Sequence, residues 1–524
     1  MDFEMPALRR EEAISLQLRA LYERGRYGLY RMGSFEEYDL YMQNKPFLAG
    51  EDVITFTGAD GRLMALKPDV TLSIVKNTPD GQVRRVYYNE HVFRRSRQSG
   101  EYREIQQMGL EFIGGEGVKA EAEVLCLAAQ SLAAVGQAAL DLSHMELVEA
   151  MLAPFGAEEA RAAALDALRD KSPHGMREAA ALAALDDATT ERCVALAALS
   201  GPFPAVLPRA KALLAEDGRA MAVLGELEAL CGEIHACASE TDVRLDFSIL
   251  NDVTYYNGLI FQGYVQGISS LVLAGGRYDN LLRRFSKAQG AVGFAIYLDA
   301  LAPEEAEQGA APAIKGERPW LNIALPKGRL GDKVYRRFEK GGLSAGAILN
   351  ESRRLVFEDY DSKMRFFLVK PSDVAIYVEH GAADVGVVGR DVLLENRADV
   401  MELLDLQLGK CRMAVAGFEQ FQEDLARPLR VATKYPTVAR RYYAEKSRSV
   451  EIIMLHGSIE LAPLLGLSDV IVDIVETGAT LRENNLVVLA EIVESSARLI
   501  ANRASWRFKG AAIQALAERL GEVT

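Results

Sequence analysis

The chain has 524 residues, room for three or four domains of ordinary size, and its 49% hydrophobic and 26% charged residues suit a folded protein with a substantial core. A formal net charge of -14 at pH 7 argues against general nucleic-acid or anionic-membrane binding and leaves room for a local basic site on a phosphorylated ligand. Five cysteines without zinc-type spacing read as reduced thiols, and with no signal-peptide pattern or membrane-length apolar run the expected location is the cytoplasm.

Residues 6–25 place Ile14, Leu18 and Leu21 on one face of an amphipathic helix. A dense block follows over 51–115, where FRRSRQSGEYREIQQMGLEF has the form of an antiparallel hairpin: Phe93 precedes a polar loop, and Met108, Leu110 and Phe112 alternate after it. Arg94, Arg103, Glu104, Gln107 and Glu111 are polar residues on these strands, and a Glu111 turned inward needs a partner or a ligand. Residues from about 120 to 240 are rich in Ala and Leu at helical spacing and read as a helical insertion, in which His144, His174 and His235 are structural. The stretch 302–319, APEEAEQGAAPAIKGERP, loses apolar periodicity and reads as a linker.

From 320 the pattern changes to alternating strand and helix. LNIALP, RFFLVK, ADVGVVG, LRVATKY, EIIMLHG and DVIVDIV are strands, which predicts a mostly parallel sheet in two lobes, the second from about 429 to 495. In such sheets ligands sit beyond the carboxyl ends of strands, where Lys327 and Arg329 of PKGRL, GVVGRD and the turn after Val475 all fall. That turn, Glu476 to Thr480, offers a Gly for close backbone approach and two Thr hydroxyls beside free N–H groups, as a phosphate requires. Asp473 and Glu476 would repel a phosphate unless they served sugar hydroxyls or a metal, so the group together suits a phosphorylated sugar. The same residues also fit an ordinary helix N-cap.

Residues 1–301 resemble histidyl-tRNA synthetase, through the 51–115 block and then VRLDFSILNDVTYYNGLIFQGYV, LAGGRYDNLLRRF and AVGFAIYLDA. The resemblance implies an α+β class II aminoacyl-tRNA synthetase-like core with a helical insertion. It also implies a histidine pocket of Asp69, Thr71, Arg94, Gln107, Glu111, Tyr255 and Tyr256. Ser96, Asn251 and Ala300 stand where that family has an acid and two arginines. Without those charges the core is expected to bind histidine and not to activate it.

Residues 320–524 resemble the short form of ATP phosphoribosyltransferase, through IALPKGRL, ADVGVVGRDVL and DIVETGATLRENNL. This implies a two-lobed α/β periplasmic-binding-protein-like phosphoribosyltransferase. In that family the short form works with a separate subunit resembling histidyl-tRNA synthetase, the part the first half would supply. The implied reaction joins ATP to phosphoribosyl pyrophosphate at the first step of histidine biosynthesis. Asp473, Glu476, Thr477, Gly478, Ala479, Thr480 and Leu481 would hold phosphoribosyl pyrophosphate, with Mg²⁺ on Asp473 and Glu476. Lys327, Arg329, Arg353, Arg354 and Lys370 would face the leaving group. Histidine is the expected inhibitor, and a homodimer or dimer of dimers the expected assembly. The competing readings are a non-catalytic histidine sensor, an active synthetase and a phosphoribosyltransferase for another base.

Overall fold

Strands Arg84–Arg95 and Tyr102–Ile113 pair antiparallel along their whole length, from Arg84 opposite Ile113 to Arg95 opposite Tyr102, which is the hairpin expected from the alternation of Met108, Leu110 and Phe112. The structure is a computed structural model describing residues 8–44, 53–95, 102–115, 117–250, 256–301, 320–343 and 354–522; Ser96, Asn251, Tyr255, the 302–319 stretch and Arg353 lie outside the described residues. It divides into two units, Met1–Ala313 and Ile314–Thr524. Among the described residues no helix is long and apolar enough to cross a membrane.

The first unit is built on a nine-stranded sheet in the order Gly28–Leu29, Arg84–Arg95, Tyr102–Ile113, Ala291–Tyr297, Leu273–Arg277, Leu259–Val265, Ala138–His144, Asp242–Asp246, Ser200–Pro202. Helix Gly117–Val135 covers one face with Val124, Leu125, Ala128 and Leu132, all fully buried. The region 120–240 is not helical throughout. Ala138–His144 is a strand inside the sheet, antiparallel to Leu259–Val265 and parallel to Asp242–Asp246. Its sequence AALDLSH has no β-branched residues, and its short Leu140–Asp141–Leu142–Ser143 alternation does not stand out in an Ala- and Leu-rich stretch; six of its seven positions are buried, Asp141 and Ser143 among them, so the alternation marks no solvent face. His144 ends this strand and caps helix Met145–Leu152 by accepting from the Glu146 N–H at 3.2 Å. Burial lowers its pKa to about 4, so the ring is neutral and structural, as expected.

The second unit contains two mixed sheets where a mostly parallel one was expected. The six-stranded sheet runs Val356–Asp359, Met364–Val369, Leu321–Pro326, Val385–Gly389, Ala497–Asn502, Val400–Asp405, and the five-stranded sheet runs Val450–Met454, Leu429–Thr433, Val470–Val475, Cys411–Gly417, Val487–Ser495. The strands legible from alternation with helices do pair in parallel. Val356–Asp359 pairs antiparallel at the edge of the first sheet, while the antiparallel strands Val400–Asp405, Cys411–Gly417, Val487–Ser495 and Ala497–Asn502 flank the places where the chain crosses from one sheet to the other and back. The second sheet therefore reaches back to Cys411, ahead of the expected start of the second lobe at about 429. The two crossings lie side by side, Leu406 N–H donating to Ala497 O at 2.9 Å and Ala497 N–H to Leu408 O at 2.8 Å. Arg498, 1% exposed, holds Asp405 at 2.9 Å and Glu402 at 3.4 Å beside them.

Candidate active site and ligand pocket

Strand Val470–Val475 lies at the centre of the second sheet, its first three residues buried, and delivers the chain to the turn at 476–480. Gly478 there has φ 70° and ψ 9°, a left-handed conformation that side chains with a Cβ resist, and the short helix Ala479–Glu483 follows with Leu481 buried as its anchor. Thr477 Oγ1 accepts weakly from the Ala479 N–H at 3.4 Å. The turn borders a cavity of about 260 Å³ lined by Arg329, Glu460, Asp473 and residues 474–481 among others. All seven residues expected to hold the sugar phosphate, Asp473 and Glu476 to Leu481, line it.

Asp473 is half-buried, and loss of solvent pushes its carboxyl up to about 6, with Glu460 and Asp391 adding to the rise. The Ile474 N–H, donated at 2.8 Å, and the Lys434 charge act in the other direction. Sequence reasoning missed Glu460. Its only signal is a carboxylate in GSIELAP before a short helix, which reads equally well as an ordinary helix-start acid.

The first lobe supplies the cations. Arg329 begins helix Arg329–Lys340 and lines the cavity, and one turn later Lys333 Nζ stands 3.6 Å from Glu476 Oε1, both side chains half exposed. Lys327 and Lys370 follow parallel strands whose last residues, Pro326 and Val369, are paired, so both leave the sheet at the same edge and are exposed. Arg354 precedes strand Val356–Asp359 at the far edge of that sheet and is not part of the cavity lining. A buried seam joins the lobes: Asp391 accepts from Tyr435 OH at 3.1 Å and from Ser495 Oγ at 3.0 Å, while Glu395 accepts the Thr437 and Val438 N–H groups that open helix Pro436–Glu445.

In the first unit, Gln107 and Glu111 stand on the same face of strand Tyr102–Ile113 and are both buried. Glu111 accepts from Thr71 Oγ1 at 2.7 Å and from Tyr278 OH, and burial raises its carboxyl to about 8 in spite of these bonds. Asp69 is likewise raised by burial, with the Leu72 N–H donated at 2.8 Å and the Arg94 charge pulling it back. Arg94 Nε donates to Pro68 O at 3.0 Å. Tyr256 is half-buried against Gly276. The structure thus brings Asp69, Thr71, Arg94 and Glu111 into one network, with Gln107 on the shared face. Tyr278 was missed, although it sits in the quoted GGRYD; a Tyr after Gly-Gly-Arg gives no sign of which carboxylate it will meet. The buried ion pair Lys67–Glu90 was missed for the same reason.

Gly293 lies opposite Glu111 in the sheet, and a Cβ there would fall 1.8 Å from Glu111 Oε2 and 2.5 Å from the Leu110 carbonyl oxygen. Backbone cannot withdraw cheaply, so Gly293→Ala is expected to cost about 2 kcal/mol or more. The check is a thermal melt, in which an unchanged midpoint would contradict this packing.

The histidyl-tRNA synthetase family model matches residues 1–301, and the ATP phosphoribosyltransferase family model matches residues 370–522. The ATP phosphoribosyltransferase of Brachyspira hyodysenteriae is 57% identical over 204 residues, 39% of this chain and 99% of that protein. That of Thermoanaerobacter sp. (strain X514) is 51% identical over 203 residues, 39% of this chain and 95% of that protein. A solved ATP phosphoribosyltransferase regulatory subunit/histidyl-tRNA synthetase from Bacillus halodurans C is 23% identical, covering 71% of this chain and 99% of that one with a TM-score of 0.50, a likeness of fold. The chain therefore belongs to the ATP phosphoribosyltransferase family and carries a unit of the histidyl-tRNA synthetase family ahead of it in the same polypeptide.

Proposed function

We propose that residues 320–524 join ATP to phosphoribosyl pyrophosphate, the first step of histidine biosynthesis, and that histidine bound in residues 1–301 lowers the rate, with 302–319 as linker. The observation that carries this reading is the cavity that sets Arg329 of one lobe against Asp473 and the 476–480 turn of the other. The turn's N–H groups suit the 5-phosphate, and Asp473 and Glu476 accept from the ribose hydroxyls. The N1 lone pair of ATP forms a bond to C1 as the C1–O bond breaks, and that electron pair leaves with pyrophosphate. Negative charge therefore grows on the leaving group, where Arg329, Lys327 and Lys370 are the cations to meet it. Arg354, at the far edge of the first sheet, is a weaker candidate for the same role, and Arg353 is a candidate that lies outside the described residues.

Mg²⁺ fits here as an ion carried by the substrate. Among the described residues no group of three or more His, Cys, Asp or Glu is placed to hold a metal. Mg²⁺ commonly takes one or two carboxylates and completes its shell with phosphate oxygens and water, which Asp473 and Glu476 would allow. When bound it neutralises charge on the pyrophosphate. The two-lobed arrangement is read as periplasmic-binding-protein-like, with substrates between the lobes, and the assembly as a cytoplasmic homodimer or dimer of dimers.

In the first unit, Asp69, Gln107 and Glu111 accept from the ammonium and imidazole N–H groups of histidine, and Tyr255 and Tyr256 wall the ring. The test is to incubate the full chain with ATP, phosphoribosyl pyrophosphate and Mg²⁺ and to follow the ultraviolet absorbance of the product. Product formation that histidine slows is expected. Absence of product under every condition would leave a histidine sensor, and a rate indifferent to millimolar histidine would remove the regulatory role.

A further inference from the structure

The cavity beside the 476–480 turn is short of positive charge for the ligand proposed above. Among the described residues its lining carries three carboxylates, Glu460, Asp473 and Glu476, against one guanidinium, Arg329. Phosphoribosyl pyrophosphate is a polyanion with phosphate groups at both C1 and C5, and it needs cations at more than one point. A second cation stands close by. Helix Arg329–Lys340 buries Val334, Tyr335 and Phe338, and the Tyr335 hydroxyl donates to Pro326 O at 2.6 Å, which fixes the rotation of the helix against the strand before it. Arg329 and Lys333, four residues apart, therefore project from one face. Lys333 Nζ crosses to the other lobe and stands 3.6 Å from Oε1 of Glu476, the residue that opens the turn. With both side chains half exposed, this is a loose ion pair of the kind that adds little to stability, and its lysine is easily exchanged onto a stronger anion.

We propose that Lys333 is a further binding residue for phosphoribosyl pyrophosphate: it pairs with Glu476 and is handed to the ligand's phosphate oxygens on binding, leaving Glu476 for the ribose hydroxyls. The proposal rests on the reading of this cavity as the phosphoribosyl pyrophosphate site. A lysine suits the exchange, because a compact ammonium on a flexible four-carbon stem can turn between anions a few ångströms apart. A phosphate group, with more charge and more acceptor oxygens than a carboxylate, is the preferred partner of the two.

The test is steady-state kinetics of the full chain in both substrates, with a thermal melt of each variant, for the wild type, Lys333→Met, Lys333→Arg, Glu476→Gln, Lys333→Met combined with Glu476→Gln, and Arg329→Met. Lys333→Met is expected to raise KM for phosphoribosyl pyrophosphate about 10-fold with kcat within about twofold, the pattern of a contact made equally in ground and transition states. Its melting midpoint is expected to stay within about 1 °C of the wild type, as removal of an exposed pair allows. Lys333→Arg keeps the charge and is expected to hold KM within about threefold. In the Glu476→Gln background, Lys333→Met should raise KM at least as much, because the lysine no longer has a carboxylate to leave. An unchanged or lowered KM in Lys333→Met overturns the proposal, and so does an effect that vanishes in the Glu476→Gln background, since the lysine would then act only on Glu476. Arg329→Met separates the two levels of inference. If neither it nor Lys333→Met alters the kinetics of phosphoribosyl pyrophosphate, the reading of the cavity itself fails. If Arg329→Met is impaired and Lys333→Met is not, only the role of Lys333 fails.

Discussion

Replacing Glu111 by Ala should raise the histidine concentration needed for half-inhibition by about 10- to 100-fold, the loss of a buried hydrogen bond to a charged ligand, while the uninhibited rate stays within about twofold. Glu111 lies in the first unit, bonded to Thr71 and Tyr278, whereas the residues proposed for the transfer chemistry lie in the second. Its raised carboxyl adds a direction. With a value of about 8, Glu111 holds a proton at neutral pH, and a cationic ligand would favour its release. Inhibition should therefore strengthen as pH rises from 6 to 8, and Glu111→Gln should lose that dependence. The stability effect has a definite sign. The folded state keeps a proton that the unfolded chain gives up near the ordinary Glu value, so the contribution of Glu111 is complete below about 4 and is lost as pH rises through about 8. Melting curves at pH 5 and pH 8 should show the wild type losing ground to Glu111→Gln. Loss of the uninhibited rate in Glu111→Ala would instead make this residue a structural support.

Asp473→Asn is the second large effect, expected to lower kcat/KM for phosphoribosyl pyrophosphate by about 100-fold or more, because an amide accepts from the ribose hydroxyls without a charge that strengthens as C1 becomes electron-poor. Steady-state kinetics in both substrates would locate the loss, and an unaffected constant for phosphoribosyl pyrophosphate would remove Asp473 from the site. The free-enzyme value of about 6 puts the acid limb of kcat/KM near that pH. Stability runs the other way. A carboxyl raised above its ordinary value favours folding most below about 4 and loses that contribution as pH rises through about 6. The charged form proposed to hold the ribose is thus the form that burial opposes, and Asp473→Asn should melt higher than the wild type at pH 8.

Much of the fold could be read from periodicity. The hairpin of Arg84–Arg95 with Tyr102–Ile113, the strands Leu321–Pro326 and Val470–Val475, and the helix after PKGRL all have a solvent face or a turn residue that leaves a local mark. Ala138–His144 does not, because both of its faces are covered and its composition favours a helix until neighbouring strands pair with it. The antiparallel crossings between the two sheets left no mark either. Their direction depends on which partner each strand reaches after the chain has changed lobes.

The strand, the left-handed Gly478 and the hydroxyl-bearing turn were determined by sequence alone, since backbone conformation and donor geometry over 470–480 depend on residues within that stretch. The family resemblance of each half was equally local, carried by contiguous motifs. Only the tertiary structure decided that Arg329 shares the cavity while Arg354 lies at a far sheet edge, that Glu460 and Lys434 flank Asp473, and that Tyr278 meets Glu111. The physical reason is common to all of these. Charge acts through space over a few ångströms in a dry interior, and which charges come that close depends on strand order and lobe packing.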